Sequence, residues 1–573
     1  MPGFCRLPRS GRIKATVGAS RAAMNVVTLV STTMALHGLV TFLAAGNLYL
    51  YWSLALFSWR YLRFVVNLAA FWCYSPSPRP SNPTYVPSRD VTVIIPTAGP
   101  ERACFRETIT SCAENKPAKI VIVTAGNELF AKTLRYVDEL KRDYPLTRLV
   151  VEKTPVASKR HQIALAVAQI ETDITVLLDD HVFWGPRYLE SLLAPFEDSR
   201  VGLVGTHKRV RRADGLNTWG RFWNMLGATY LCRHNFDLRA TNTVDGGVFV
   251  VSGRSCAMRT QILKHPEFLL GYTNEKFFFG MFGPLNPDDD NYNTRFAVRH
   301  GWKIKIQYTD DALMETTLGV EHPLGIKYLG QCQRWARTTW RSNLCSLITD
   351  RTVWASQPYC VYAVYLTSLT NFAAVTDPLL IYLFTHCPAY NTPLTLAGLV
   401  CWILFTKIVK VFDYFRRHPQ DIPLFPAYLG FAYFHSLIKL WTLLTFWDCT
   451  WGGRQLENIK VRSALDAVPP SANPTASLRH DAINDHPNLA AIRSLRDRIG
   501  DLHAQQMQYV TGYQMPLLSE LQHLRESLET LRGERSTTTE SQGTALAELR
   551  QVIARLQAIQ SSPYTVCRPP SNN

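Results

Sequence analysis

The sequence predicts an α/β domain built on a parallel sheet, embedded in an α-helical multi-pass membrane protein with a helical C-terminal tail. Three observations predict it. A long block without charge sits near the start and apolar blocks lie beyond residue 357, a run of short β-branched segments fills the middle, and leucine heptads mark the end. The chain has 573 residues, Lys and Arg total 61 against 45 Asp and Glu, and 47% of residues are hydrophobic. So many apolar residues exclude a disordered chain, and the absence of a Gly-X-Y period excludes collagen. With only 18% charged residues gathered between apolar blocks, a nucleic-acid binder is excluded as well.

From Ala22 to Trp59 there are 38 consecutive residues without Asp, Glu, Lys or Arg. A spanning helix needs about 20 apolar residues, so residues 1–74 hold one span with an extension, or two spans turning near Gly46 and Asn47. Arg6, Arg9, Arg12, Lys14 and Arg21 precede the block and place the N-terminus in the cytoplasm. Further apolar blocks run from Pro358 to Cys387, Pro393 to Phe412 and Leu424 to Trp447, with Lys407, Lys410, Arg416 and Arg417 marking a cytoplasmic end. The last block is expected to be interfacial or re-entrant unless another block splits, for instance at Asp377-Pro378. The 13 cysteines show no Cys-x-x-Cys pair, consistent with reduced thiols in a cytoplasmic domain.

A Pro/Ser linker, Ser75 to Ser88, opens a mixed region at residues 75–320. The runs VTVII (91–95), KIVIV (119–123), RLVVE (148–152) and ITVLL (174–178) alternate with helix-like stretches. Near-continuous apolar strands alternating with helices read as a parallel sheet covered on both faces. Ligands sit beyond the carboxyl ends of such strands, which directs attention to Thr97, to Thr124-Ala125-Gly126-Asn127 and to Asp179-Asp180-His181. Acidic residues ending a buried strand need solvation, a partner or a metal. Asp179 and His181 alternate with Asp180 and so point alike, as a cation clasp or as a solvated cap. Asp288-Asp289-Asp290 reads either as an Asx-turn capping a helix near Tyr292 or as a source of a general base. On a helix at residues 321–353, Gln331, Arg334 and Trp335 share a face. That face suits a phosphate and a sugar ring, or a membrane surface. Lys159-Arg160 opens a helix, where a pyrophosphate can sit.

In this order the elements resemble the membrane-embedded family 2 glycosyltransferases, the group of hyaluronan, chitin and cellulose synthases and of fungal capsule-associated polysaccharide synthases. The likeness runs from about Val91 to Arg454. It implies a GT-A-like, Rossmann-type catalytic domain. VIIPT resembles the first nucleotide-binding strand, Ser158-Lys159-Arg160 the Gly-Lys-Arg segment, and Asp179-Asp180-His181 the Asp-x-Asp. Ser252-Gly253 resembles the acceptor-lining segment, Asp289-Asp290 the acidic pair whose second member is the base, and Gln331-Cys332-Gln333-Arg334-Trp335 the Gln-x-x-Arg-Trp. Trp451-Gly452-Gly453-Arg454, within 451–462, resembles the gating loop over the donor. Two departures stand out: no acidic residue follows the second strand, which leaves nucleobase contacts to Thr97 or backbone, and His181 replaces the second metal-binding Asp.

The resemblance implies inverting transfer from a nucleotide sugar, expected to be UDP-linked, with Mn²⁺ or Mg²⁺ on Asp179 and His181. Thr97, Lys159, Arg160, Asp179, Asp180, Gln331 and Arg334 would bind the donor. Asp290, with Asp289, would carry catalysis; Ser252, Gly253 and Trp335 would meet the growing glycan acceptor; Trp451 and Arg454 would gate. The expected product is a wall or surface polysaccharide, made and exported at the plasma membrane among its lipids, with the catalytic domain cytoplasmic. The alternatives are transfer of one sugar to a lipid, as in ceramide glucosyltransferases, and a scaffold without catalysis. Residues 354–450 complete the membrane and interfacial helices. In the tail, 463–573, Ile492, Leu495, Ile499 and Leu502 keep heptad spacing, as do Leu517 to Leu531 and Leu546 to Leu556, broken by Pro516 and Gly533. These are short coiled-coil segments suited to self-association or a partner protein.

Overall fold

The β-branched runs all become strands, because each can bury both faces against helices. In the computed structural model, which describes residues 48–155 and 158–449, β1 is Val91–Pro96, β2 Lys119–Ala125, β3 Arg148–Thr154 and β4 Ile174–Leu178. Every residue of β1, β2 and β4 is buried. Three further strands, β6 (Val201–Thr206), β8 (Ser255–Arg259) and β9 (Lys303–Gln307), complete a seven-stranded sheet of order β3-β2-β1-β4-β8-β6-β9. The sheet is mixed rather than wholly parallel, since β8 runs antiparallel to both β4 and β6. The reversal has a local cause: β8 must start where β4 ends, and Asp179 donates its N–H to the Arg254 carbonyl at 2.9 Å. A small sheet of β5 (Val182–Trp184), β10 (Met314–Thr316) and β7 (Lys208–Val210) lies beyond that point.

Alternation along the strands sorts the core. Val91, Val93 and Ile95 join Phe105 and Ile109 of α2 (Ala103–Glu114) and Val137 and Leu140 of α3 (Gly126–Asp143). The short helix α4 (Lys159–Ala166) packs against β1, β2 and β3. A long helix, α5 (Thr218–Asp245), is capped by the Asn217 side chain, which accepts from the Gly220 N–H, and stops at Gly246 in the left-handed region (φ 73°). There Asn242 ties it to the sheet. Its amide donates to the carbonyls of Gly246 (3.0 Å) and Ile304 (2.9 Å) and accepts from the Ile306 N–H (3.0 Å).

The chain divides into two units, Met1–Ile262 with Glu275–Arg462, and Leu263–Asn274 with Ser463–Asn573. Of the second, the described residues hold the helix Pro266–Asn274. The heptads of the tail and the loop at Trp451 and Arg454 lie outside the described residues.

Among the described residues one helix is long and apolar enough to cross a membrane, α1 (Leu48–Cys73). At 1.5 Å per residue it is about 39 Å long. It does not stop at Arg60, where the uncharged block ends, because Arg60 and Arg63 turn inward. Arg63 donates to the Ala363 carbonyl and to Thr367, each at 2.8 Å, and Arg60 pairs with Asp377. Residues Pro358–Thr370 and Ala373–Thr385 pass the same test only as a pair bent by 91°. The break falls at Asn371 and Phe372, not at Asp377-Pro378, which lies within the helix α7 Ala373–Thr385. The apolar helix α8 (Pro393–Val409) has 17 residues. Lys407 and Lys410, near its end, do not mark a solvent-facing terminus; they reach Asp377 and Asp237, each at 3.0 Å. The segment expected to be interfacial forms α9 (Phe425–Leu443). Between α5 and α7 in the chain, α6 (Ile326–Thr338) carries Gln331, Arg334 and Trp335.

Replacing Asn242 with Ala removes the partner of two buried backbone groups, the Ile304 carbonyl and the Ile306 N–H, and of the half-buried Gly246 carbonyl. At about 1–3 kcal/mol for each buried group left unsatisfied, partly relieved by relaxation, the expected loss is about 2–4 kcal/mol. A denaturant or thermal melt of the solubilised protein should show it, and an unchanged midpoint would contradict the clamp.

Candidate active site

Sheet register explains why residues scattered in sequence meet. β1 pairs with β4 in parallel, Ile94 opposite Leu177, so Thr97 and Asp180 emerge together, and the Thr97 hydroxyl donates to Asp180 at 2.8 Å. β4 pairs with β8, Leu178 opposite Ser255, which brings Ser252, Gly253 and Arg254 beside Asp179. The cavity at these strand ends is about 250 Å³ and is lined by Thr97, Lys159, Asp179, Asp180, His181, Ser252, Gly253, Asp289, Asp290, Gln331, Arg334 and Trp335. Of the residues expected at the site, these twelve converge. Trp451 and Arg454 lie outside the described residues.

Arg160 points elsewhere. It is buried, pairs with Glu275 at 2.7 Å and donates to the Pro287 carbonyl at 2.7 Å, so it braces the loop before the acidic cluster from behind. Successive residues of a helix point about 100° apart, and Lys159 takes the cavity side. Its ammonium lies 2.9 Å from Asp179, 2.9 Å from Asp289 and 3.2 Å from the Gly253 carbonyl. Thr124 to Asn127 do not line the cavity: the Thr124 hydroxyl donates to the Glu152 carbonyl at 3.4 Å, and Asn127 accepts from Lys153 at 2.8 Å.

The three consecutive aspartates divide their work. Asp288, at φ 64°, does not cap the helix that starts at Asp289. It accepts from Thr338 at 2.6 Å and from Arg341 at 2.8 Å. Asp289 faces Lys159. Asp290 accepts from neutral donors, the Gly253 N–H at 3.1 Å, the Asn291 N–H at 3.0 Å and the Asn291 side-chain amide at 3.2 Å. Burial first, and the neighbouring Asp289 second, push the Asp290 carboxyl above the ordinary range. Asp179 differs: burial works against its charge, but Lys159 and His181 outweigh burial and hold its carboxyl below the usual range. Two carboxylates in one cavity are thus pushed apart, one toward proton uptake and one toward permanent charge.

The Asp179 carboxylate and the His181 imidazole suit a divalent cation such as Mn²⁺. The fit rests on the donor set and its support, because Asp180 holds the His181 ring at Nδ1, 3.1 Å away. A carboxylate on one imidazole nitrogen is the usual support when the other nitrogen takes a metal. On the opposite wall Trp335 stacks on Tyr230, with ring centroids 4.8 Å apart, and the Arg254 guanidinium lies 5.5 Å from the Trp335 ring centroid.

Arg254 and Lys208 also line the cavity, and sequence reading missed both. Arg254 directly follows Ser252-Gly253, so its position was a usable signal. Lys208 had none, since a Lys-Arg pair after a strand reads as surface. Burial, and then Arg254, lower the Lys208 ammonium to about 7, and it lies 2.8 Å from His234.

The family model "Glycosyltransferase like family 2" matches residues 87–338. The chain is 38% identical over 415 residues to a "Type 2 glycosyltransferase" of Gibberella zeae, covering 72% of this chain and 76% of that one. It is 25% identical over 417 residues to the NDP-glycosyltransferase ltbB of Aspergillus luteorubrus, covering 70% and 97%. To hyaluronan synthase of Streptococcus pyogenes it is 23% identical over 380 residues, covering 64% and 83%. With its mixed sheet, its acidic strand end and this degree of likeness over most of its length, the chain belongs to the family 2 glycosyltransferases.

Proposed function

We propose that this enzyme is a processive, inverting glycosyltransferase of the plasma membrane, which builds a wall or surface polysaccharide from a UDP-linked sugar and exports it. The observation that carries the reading is the pairing of a buried, proton-seeking Asp290 with the charged Asp179–Lys159 cluster in one cavity. An NDP-glycosyltransferase among the relatives supports a nucleotide-diphosphate donor, and a hyaluronan synthase supports a polymeric product. The long helix α1, with Trp52, Leu62, Val65 and Trp72 exposed along one side, supports membrane insertion.

In the proposed step the acceptor hydroxyl gives its proton to an Asp290 oxygen. Its oxygen forms the new bond to the anomeric carbon from the face opposite the nucleotide. The bond from that carbon to the diphosphate oxygen breaks, and its electron pair leaves with the nucleoside diphosphate. Arg334 and Lys159, which line the same cavity, would supply cations to that developing charge. A divalent cation held by Asp179 and His181 would neutralise the same diphosphate. Gly253 keeps the base in place: a methyl group there would stand 3.1 Å from Asp290 Cβ and 3.2 Å from Lys159 Nζ.

Label incorporation from a panel of UDP-sugars in Mn²⁺ tests the reading. A long polymer from the wild type supports it, and a product of one sugar on a lipid overturns the polymer assignment. Asp290→Asn should lower transfer by about 10²–10⁴-fold with membrane insertion intact; full activity would refute the base assignment. Gly253→Ala should lower kcat by about 10²-fold through displacement of the base.

The pH profile supplies a separate check. The base works deprotonated, and its carboxyl sits above the ordinary range, so activity should fall as pH drops while still above the usual Asp value of about 4. An acid limb at or below that value would contradict the buried-base assignment.

A further inference from the structure

A second cavity, about 310 Å³, adjoins the active site and shares Tyr230, His234, Phe249, Trp335, Thr339, Val364 and Ser368 with it. Six basic side chains line it: Arg60 and Arg63 of α1, Arg233 of α5, Lys407 of α8 with Lys410 just beyond its end, and Lys439 of α9. The only carboxylate in this lining is Asp237. Asp377 pairs with Arg60 and Lys407, and Asp237 with Lys410, which leaves four more cations than carboxylates. Arg63 and Lys439 rest on uncharged oxygens, Arg63 on Ala363 and Thr367, Lys439 on Ser368 and Asn371. Arg233 is exposed at the cavity and, among the described residues, has neither an ion pair nor a hydrogen bond.

Such an excess is expensive to maintain within apolar helices, where arginines mark a functional path. Water and backbone carbonyls alone would be served by Ser, Thr and Asn, which the cavity also has at Thr367, Asn371, Thr406 and Ser436. The cations therefore call for an anionic occupant, and the hydroxyl and aromatic lining beside Trp335 suits sugars. The basic groups belong to four helices and hold separate local partners, which favours charge repeated along a chain over a single phosphate.

We propose that this cavity receives an acidic glycan, whose carboxylate-bearing sugar units pass from Trp335 into the cationic lining. The inference rests on the polymer reading above and deepens it, because it names the substrate class: at least one donor is a nucleotide-linked uronic acid.

Two measurements test it. In the first, a hexamer of galacturonate and its carboxyl-reduced neutral counterpart are bound to the purified full-length protein. The acidic hexamer should bind about tenfold more tightly, since charge-assisted pairs to guanidinium and ammonium are the stronger ones. Arg233→Gln should remove most of that margin while leaving neutral-hexamer affinity and donor hydrolysis unchanged. Equal binding of the two hexamers, or a margin untouched by Arg233→Gln, overturns the proposal. Displacement of the acidic hexamer by a polyprenyl phosphate at lower concentration would also overturn it, in favour of a lipid headgroup.

In the second, membranes are supplied with UDP-glucuronate alone, neutral UDP-sugars alone, or both. Polymer that needs the uronate and is retained on an anion exchanger supports the proposal; uncharged polymer from neutral donors alone overturns it. Preserved acid-selective binding without any polymer would defeat the polymer reading only.

Discussion

Everything at the candidate site turns on one ammonium group. Lys159 bridges Asp179 at the end of β4, Asp289 at the start of its helix and the Gly253 carbonyl ahead of β8. Without that cation, two carboxylates and a carbonyl would face one another in a buried cavity, a costly arrangement at low effective dielectric. With it, three separate segments are cross-linked, and the adjacent Asp290 is left as the carboxyl that the site does not neutralise directly. The division follows from position. Asp288 is spent on Arg341 and Thr338, Asp289 on Lys159, and Asp290 meets only backbone N–H groups and Asn291.

The sheet makes this bridge possible. Parallel pairing of β1 with β4 aligns Thr97 with Asp180, and antiparallel β8 returns Gly253 to the same edge. The antiparallel strand is therefore part of the site's construction. A wholly parallel sheet would place the Ser252-Gly253 segment at the opposite end, away from Asp179.

Much of this was legible in the sequence, for identifiable reasons. The strands β1 to β4 announce themselves because burial on both faces demands unbroken apolar runs. Asp179 was visible because a carboxylate ending such a run needs a purpose, and Asp290 because it stands in an acidic triplet that resembles the family's acidic pair. What could not be read was direction and pairing. Lys159 and Arg160 are adjacent and alike in charge, yet one enters the cavity and the other holds Glu275; only the packing of α4 decides which. β8 is short and unremarkable in composition, and its reversal depends on where the preceding segment ends. The charge-free block stops at Trp59, yet α1 runs on to Cys73. An arginine signals the end of a span only if it faces solvent, and Arg60 and Arg63 face protein.

That last point links α1, with its Arg60 and Arg63, to the candidate site. A spanning helix that merely anchored the enzyme would gain from apolar residues where Arg60 and Arg63 stand, since buried ion pairs are often no more stable than hydrophobic replacements. Asp377 could then be dispensed with as well, because its partners are Arg60 and Lys407. The same economy would remove Asp237 together with Lys410. Arg233 shares the field of Asp237 with Arg63 and Lys410, and among the described residues it makes no ion pair of its own. A cationic lining that stability does not require, opening beside Trp335 of the candidate site, accords with the acidic occupant proposed for it.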